Sequence, residues 1–546
     1  MSLLQVTNLT FEYEGSFTPV FDGVSFQIDT DWKLGFVGRN GKGKTTFLKI
    51  LMGELEYSGQ ITGRIPCDYF PFPVKEPWRD TWEVLWEVTE GEAETWQIER
   101  ELSKLRVAED VLYRPFSTLS NGEQTKVLLV ALFLREGHFL LIDEPTNHLD
   151  QEARRLVSDY LNGKKGFILV SHDRAFLDGC VDHILAVNRT DIQVQRGNFS
   201  SWFENKERQD AFEQAENERL KKDVKRLEAA ARQSERWADR VEGTKIGGIA
   251  DRLHANVGSR AYIGEKSRRL QQRRKNLERR QNRAIEEKRE LLKNTEQPEH
   301  LKLFPLKHHA DRILVLDRVQ PWYEGAGQPV CQPVSLELRQ GQRIFLKGSN
   351  GCGKTSLLRL VLEALSEQQA ALGQQMQQEA LGQQMQQAAF RRQMQGAAAG
   401  EQITGAHPIL PEMKGEIRAA SGLKVSWVSQ DTSGLKGSLR DYAGKNGVEE
   451  HLFLALLRKL DFSRDQFEKP MEHYSQGQKK KVLIARSLCE QAHLYIWDEP
   501  LNYIDIYSRM QIEELILQFQ PTVLLVEHDA AFAQKTASQE IPVVRL

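Results

Sequence analysis

Apolar and polar positions change period along this chain. Near the start they alternate, as in Leu4-Gln-Val6 and Val24-Ser-Phe-Gln-Ile28, the two-residue period of strands. Lys33-Leu-Gly-Phe-Val37 is a short buried strand, and Thr46-Phe-Leu-Lys-Ile-Leu-Met52 after it is helical. Phe139-Leu-Leu-Ile142 and Phe167-Ile-Leu-Val170 are further apolar strands, so the first 202 residues read as an α/β domain. The middle changes character. Leu220, Val224, Leu227 and Ala231 run at 4-3-4 spacing, while Ile263, Leu270, Leu277, Ala284 and Leu291 recur every seven residues. Such seams belong to two helices packed side by side. Between them lies Glu242-Gly-Thr-Lys-Ile-Gly-Gly-Ile249, whose glycines end one helix and turn the chain back. Residues 203–302 therefore predict an antiparallel helical hairpin with its tip at about 242–262, each arm of about 38 residues reaching roughly 57 Å.

The α/β pattern then returns over 303–546, and it returns as a copy. Gly38-Arg-Asn-Gly-Lys-Gly-Lys44-Thr45 is matched by Gly348-Ser-Asn-Gly-Cys-Gly-Lys354-Thr355, and Leu119-Ser-Asn-Gly-Glu-Gln124 by Tyr474-Ser-Gln-Gly-Gln478. Phe139-Leu-Leu-Ile-Asp143-Glu144 matches Leu494-Tyr-Ile-Trp-Asp498-Glu499, and Phe167-Ile-Leu-Val-Ser-His172 matches Val523-Leu-Leu-Val-Glu-His528. The offset is 310 at the lysines and 355 at the aspartates, so about 45 residues are inserted in the second copy. The insert, about 366–410, repeats Ala-Leu-Gly-Gln-Gln-Met-Gln-Gln and has no core-forming pattern. A solvent-exposed loop or frayed helix without chemistry is expected there.

The repeated motifs specify phosphate chemistry. In a glycine loop between strand and helix, backbone N–H groups curl around phosphate oxygens, the lysine reaches the terminal phosphates, and the Thr45 or Thr355 hydroxyl can ligate Mg2+. This assigns Gly38, Asn40, Gly41, Gly43, Lys44, Thr45 and Thr46, and likewise Gly348, Asn350, Gly351, Gly353, Lys354, Thr355 and Ser356. Asp143 and Asp498 end apolar strands and belong on the magnesium shell. Glu144 and Glu499 are left to polarise the attacking water, and His172 and His528 to sense the γ-phosphate.

Charge singles out the hairpin. Residues 206–300 hold 25 Lys+Arg against 18 Asp+Glu in a chain of net charge −2, and Lys245 to Arg283 holds 12 against 3. A long rod with a cationic end is a probe for a polyanion. Lys245, Arg252, His254, Arg260, Arg268, Arg269, Arg273 and Arg274 are its candidate RNA contacts, made to phosphates rather than to bases. The opening residues have no basic segment before an apolar run, and no window approaches ~18 uninterrupted apolar residues, so a soluble, cytoplasmic protein is expected. The five cysteines are scattered and in no metal-ligand spacing, which leaves disulfide and zinc frameworks unsupported.

With five motifs in order, twice, around a hairpin, the chain resembles ABC-F proteins of the ATP-binding cassette family, and within them the Lsa-type antibiotic-resistance group. The resemblance implies two tandem P-loop cassettes paired head to tail within one monomer, each ATP held between one half's phosphate loop and the other half's signature. Site one would then use Tyr13 against the adenine, Lys44, Thr45, Asp143, Glu144 and His172, closed by Ser475, Gly477 and Gln478. Site two would use Tyr323, Lys354, Thr355, Gln430, Asp498, Glu499 and His528, closed by Ser120, Gly122 and Glu123, with Gln430 as a further Mg2+ ligand. Phe72 stands where the first half should have its matching glutamine, which implies a slower site one. The partner implied is the bacterial 70S ribosome, bound at its tRNA exit site with contacts to 23S rRNA and P-site tRNA. The linker tip would displace lincosamides, streptogramin A compounds and pleuromutilins. A housekeeping ABC-F translation factor, the ATPase subunit of a drug exporter, and a charged coiled coil without a ligand are the competing readings.

Overall fold

A computed structural model describes residues 3–13, 19–63, 65–135, 137–147, 149–187, 192–245, 301–323, 327–368 and 412–546. The tip and returning arm of the expected hairpin, with Arg252, His254, Arg260, Arg268, Arg269, Arg273 and Arg274, lie outside the described residues, as does the glutamine-rich insert beyond residue 368. The chain divides into two compact units, Met1–Ser200 with Pro298–Leu546, and Ser201–Gln297. Leu301 and Leu303 are buried in the core of the second half.

Within the first unit each half has two sheets. In the first half the strands Phe21–Asp29, Leu3–Phe11 and Ser58–Thr62 form an antiparallel sheet in that order. Leu4 and Val6 point inward at the two-residue period, Leu9 resumes it after a register shift, and with Ile28 they meet Phe36, Phe47 and Ile168, so alternation in the sequence becomes one buried and one wet face. The larger sheet runs Cys67–Phe70, Phe139–Asp143, Phe167–Val170, Lys33–Val37, His183–Val187, all parallel, with Ile192–Arg196 antiparallel at the edge. Its central strands are buried on both faces, which is why they read as unbroken apolar runs. The second half repeats this with Val425–Val428, Leu494–Asp498, Val523–Val526, Arg343–Lys347 and Gln539–Pro542, all parallel, beside the sheet Val334–Arg339, Arg312–Trp322, Glu412–Ala419. In both copies the phosphate loop, the carboxylate pair and the histidine leave the carboxyl ends of three neighbouring strands, where open α/β sheets hold their ligands.

The second unit is described through its first arm, within one helix, Phe199–Lys245, of 47 residues and about 70 Å at 1.5 Å per residue. Asn217 and Val224, seven residues apart, are buried on it. Among the described residues no helix is long and apolar enough to cross a membrane.

Candidate nucleotide-binding sites

The phosphate loop of the first half ends at Gly43, in left-handed backbone with φ 89°, and the helix Lys44–Met52 starts there with no side chain capping it. Its first N–H groups are thus left for an anion. A Cβ at Gly43 would lie 2.4 Å from Val20 Cγ1, so this glycine is required by space as well as by φ. Lys44 is buried, and its Nζ donates to Gly38 O at 2.7 Å and Arg39 O at 3.1 Å. Lys354 repeats this with Gly348 O and Ser349 O, both at 2.8 Å. Tyr13 Oη pairs with Thr46 Oγ1, and Tyr323 Oη with Ser356 Oγ, both at 2.8 Å, which sets each ring beside its loop.

The signature serines are helix N-caps. Ser120 Oγ accepts from Glu123 N at 3.3 Å while Glu123 Oε2 accepts from Ser120 N at 2.9 Å. Ser475 and Gln478 make the same reciprocal pair at 3.3 and 2.9 Å. Either Glu or Gln serves at this third helical position, which accounts for the exchange of Gln for Glu between the two signatures.

The two halves meet so that each phosphate loop faces the other half's signature. One cavity, about 1120 Å³, is lined by Tyr13, Lys44, Thr45, Asp143, Glu144 and His172 from the first half and by Ser475, Gly477 and Gln478 from the second. The other, about 920 Å³, is lined by Tyr323, Lys354, Thr355, Gln430, Glu499 and His528 together with Ser120, Gly122 and Glu123. Asp498 does not line it, being fully buried behind Glu499. Contacts cross the seam at both sites: Asn40 Nδ2 donates to Tyr503 O at 3.0 Å, and Asn350 N donates to Asp150 Oδ2 at 3.4 Å. Arg39 reaches Asp461 at 3.5 Å and stacks over Tyr507.

The carboxylate pairs are alike in backbone and unlike in electrostatics. Glu144 and Glu499 both carry positive φ, 51° and 46°, a strained conformation for a non-glycine residue that clusters at functional positions. Each is pinned there by its own N–H, to Val170 O and Val526 O respectively, both at 2.9 Å. Burial, with the charge of Asp143 beside it, pushes the Glu144 carboxyl up to about 8. Its Oε1 lies 3.3 Å from His172 Nε2 but outside hydrogen-bond geometry. Burial also pushes His172 well below the usual imidazole range, with the charges of Lys44 and Arg509 acting in the same direction. At Glu499 burial is outweighed by His528, 3.5 Å away, and by Lys354 and Lys480, which hold the carboxyl below its ordinary value. Gln430 Nε2 at 2.8 Å and Asn502 Nδ2 at 2.6 Å both donate to Glu499 Oε2.

The donors present fit a magnesium ion. Thr45 Oγ1 and Asp143 Oδ2 stand 3.0 Å apart at the cavity wall. Both Asp498 oxygens are buried without a hydrogen-bond partner, and burial with the neighbouring Glu499 charge raises this carboxyl to about 6, a cost that a cation would relieve. Mg2+ typically uses one or two carboxylates plus substrate phosphates.

Sequence reasoning missed Tyr69, Asn502, Tyr503 and Asp461 as parts of these sites. Asn502 and Tyr503 sit in the run after Glu499 and could have been suspected from its repetition after Glu144. Tyr69 and Asp461 leave no local signal, because their partners are 74 and 422 residues away in the chain.

The ABC transporter family matches residues 21–147 and 331–502. Over 99% of its length the chain is 24% identical to the ribosome protection protein VmlR of Bacillus subtilis strain 168, covering 86% of that protein. It is 25% identical to the ATP-binding protein Uup of Caulobacter vibrioides, over 96% of this chain and 74% of Uup. Among solved structures, an archaeal ribosome recycling factor, aABCE1, in complex with a stalk protein, overlays with TM-score 0.54 at 16% identity over 99% of this chain and 90% of that one. A structure described as RNase-L Inhibitor overlays with TM-score 0.55 at 17% identity, covering 99% and 91%. Tandem halves with this sheet order, two composite sites across one seam and a match over more than half of the residues lead to one assignment: the chain belongs to the ABC transporter family, as an ABC-F type ATP-binding protein and an ATPase.

Proposed function

We propose that this chain is a ribosome-binding ATPase that protects the bacterial ribosome from antibiotics of the peptidyl-transferase centre. The observation that carries this reading is the likeness to VmlR across 99% of the chain, hairpin included, rather than across the cassettes alone. In each site the phosphate loop and its lysine bind the ATP phosphates, Tyr13 and Tyr323 flank the adenine, and the opposing signature serine and glycine close on the γ-phosphate. Thr45 and Asp143, and Thr355, Gln430 and Asp498, would hold Mg2+, which neutralises charge on the phosphates and leaving group. Glu144 and Glu499 take a proton from the attacking water, and His172, neutral in this setting, offers one ring N–H toward the γ-phosphate. ATP holds the seam closed while Lys245 and the arginines from Arg252 to Arg274 grip rRNA phosphates and the tip, 242–262, dislodges the drug.

The test uses the chain with Glu144→Gln and Glu499→Gln, which hold ATP without turnover. It should sediment with 70S ribosomes in ATP and lose that binding steeply as salt rises, while the parent chain, which turns ATP over, should restore translation in the presence of a lincosamide or pleuromutilin. Replacing 246–257 by a glycine-serine turn should remove the protection and keep much of the binding. A parent chain that binds ribosomes yet gives no protection would favour a housekeeping translation factor. That second reading draws on the comparable identity, 25%, to the Uup and YdiF ATP-binding proteins. No sedimentation with ribosomes would sink both.

A further inference from the structure

The strand that precedes each missing or present glutamine is in the same register in both halves. Phe70 pairs with Ile142 as Val428 pairs with Trp497, and Ile142 and Trp497 each directly precede the aspartate of a carboxylate pair. Phe72 and Gln430 thus occupy one position, and Tyr69 and Trp427 another. In the second half the polar contact comes from the later position, Gln430 to Glu499. In the first half Phe72 can make none, and the polar contact comes instead from the earlier position: Tyr69 Oη donates to Asp143 Oδ2 at 3.0 Å. Thr45 Oγ1 donates to the same oxygen at 3.0 Å, so two hydroxyls fix one side of this carboxylate. Tyr69 lines the cavity of site one, and its counterpart Trp427 offers no hydroxyl. The two halves have therefore exchanged an amide on the water-activating glutamate for a phenol on the neighbouring aspartate.

We propose that Tyr69 is a positioning residue of site one, orienting Asp143 for the magnesium of Mg–ATP in place of the glutamine that position 72 lacks. This rests on the reading of Asp143 as the magnesium-binding carboxylate. Outer partners of this kind orient a metal ligand, and their removal typically weakens metal binding 10- to 100-fold. Site one is then built to retain Mg–ATP, its glutamate lacking the amide contact that Glu499 receives, and site two is built to turn it over.

The test titrates Mn2+, as a paramagnetic substitute for Mg2+, into the full chain carrying Glu144→Gln and Glu499→Gln with ATP, counting free Mn2+ by electron paramagnetic resonance. Two bound ions are expected in the parent. Tyr69→Phe, which removes only the hydroxyl, should weaken one of them about tenfold and leave the other; Trp427→Phe should leave both. Adding Phe72→Gln to Tyr69→Phe should recover affinity, since an amide oxygen then reaches the cation from the later position. Tyr69→Trp, which copies the second half, should show the same loss and serves if the phenylalanine variant does not fold. Parental Mn2+ affinity at both sites in a folded Tyr69→Phe or Tyr69→Trp overturns the proposal. No recovery with Phe72→Gln overturns the exchange of roles between the two positions. Asp143→Asn separates this inference from the reading beneath it. If Asp143→Asn loses one ion while Tyr69→Phe does not, only the role of Tyr69 fails; if Asp143→Asn keeps both, the assignment of Asp143 fails with it.

Discussion

Glu144 and Glu499 occupy the same strained backbone position and face opposite electrostatics, and their chemistry should separate accordingly. A general base acts only when ionised. With its carboxyl pushed up to about 8, Glu144 is mostly protonated at pH 7, whereas Glu499, held below the ordinary range, is ionised throughout the neutral region. Single-turnover hydrolysis by the Glu499→Gln variant, which leaves site one, should therefore climb as pH rises from 7, pass half of its plateau near about 8 and level off roughly one unit above that. The Glu144→Gln variant, which leaves site two, should stay flat from about pH 7 to 9 and be the faster of the two at pH 7. Superimposable profiles would remove the asymmetry. Its existence was legible in Phe72, a single apolar residue where an amide was due. Its direction at the base was not, because burial and the neighbours His528, Lys354 and Lys480 that set Glu499 come from separate segments of the second half.

At the level of elements, each site is a phosphate-loop helix facing a signature helix, and the closeness of that approach rests on Gly477. A Cβ there would stand 2.4 Å from Tyr503 O and 3.1 Å from Asn40 Nδ2, the two groups joined by the 3.0 Å hydrogen bond across the seam. Backbone does not yield as a flexible side-chain end would, so Gly477→Ala must push the signature helix outward. Overpacking of this kind costs about 1–3 kcal/mol, which as lost closure weakens ATP at site one by about five- to 150-fold. Fluorescent-nucleotide titration of the Glu144→Gln, Glu499→Gln chain would reveal one weakened site; two unchanged affinities would mean that the signature does not close on nucleotide. The elements were readable where period and motif are local: the strands, the loop helices and the duplication all sit where apolar runs and glycines mark them. The capping boxes at Ser120 and Ser475 follow the local rule of a serine with Glu or Gln three residues later. What escaped was pairing over distance, such as Asn40 with Tyr503, 463 residues apart, for which no periodicity leaves a trace.

The cassette pair as a whole is nearly two-fold symmetric, and its one-sided features show where that symmetry is broken. Arg154 binds Asp173 at 2.9 Å in the first cassette, and Arg509 binds Asp529 at 3.1 Å in the second, matching residues in matching places. The next pair has no mate. Arg174 Nη2 reaches across to Glu513 at 2.7 Å, both side chains buried, and Lys535 meets the other oxygen of Glu513 at 2.7 Å. By the same offsets the counterparts of Arg174 and Glu513 are Ala530 and Ser158, which can form no ion pair. Removing one partner of a buried pair leaves the other charge without compensation, at about 3–5 kcal/mol. Here Lys535 still neutralises Glu513 and Asp529 still faces Arg174, so Arg174→Ala and Glu513→Ala should each fall near about 3 kcal/mol. The double change Arg174→Met with Glu513→Leu restores apolar contact without buried charge and should recover most of the loss. Urea unfolding of the nucleotide-free chain measures all three. If both single variants unfold at the parent's midpoint, the pair is solvated in solution and the seam is held equally on both sides. If they unfold early and the double variant does not, the seam is pinned beside His172, on the side of the cassette pair that carries Glu144 and Tyr69.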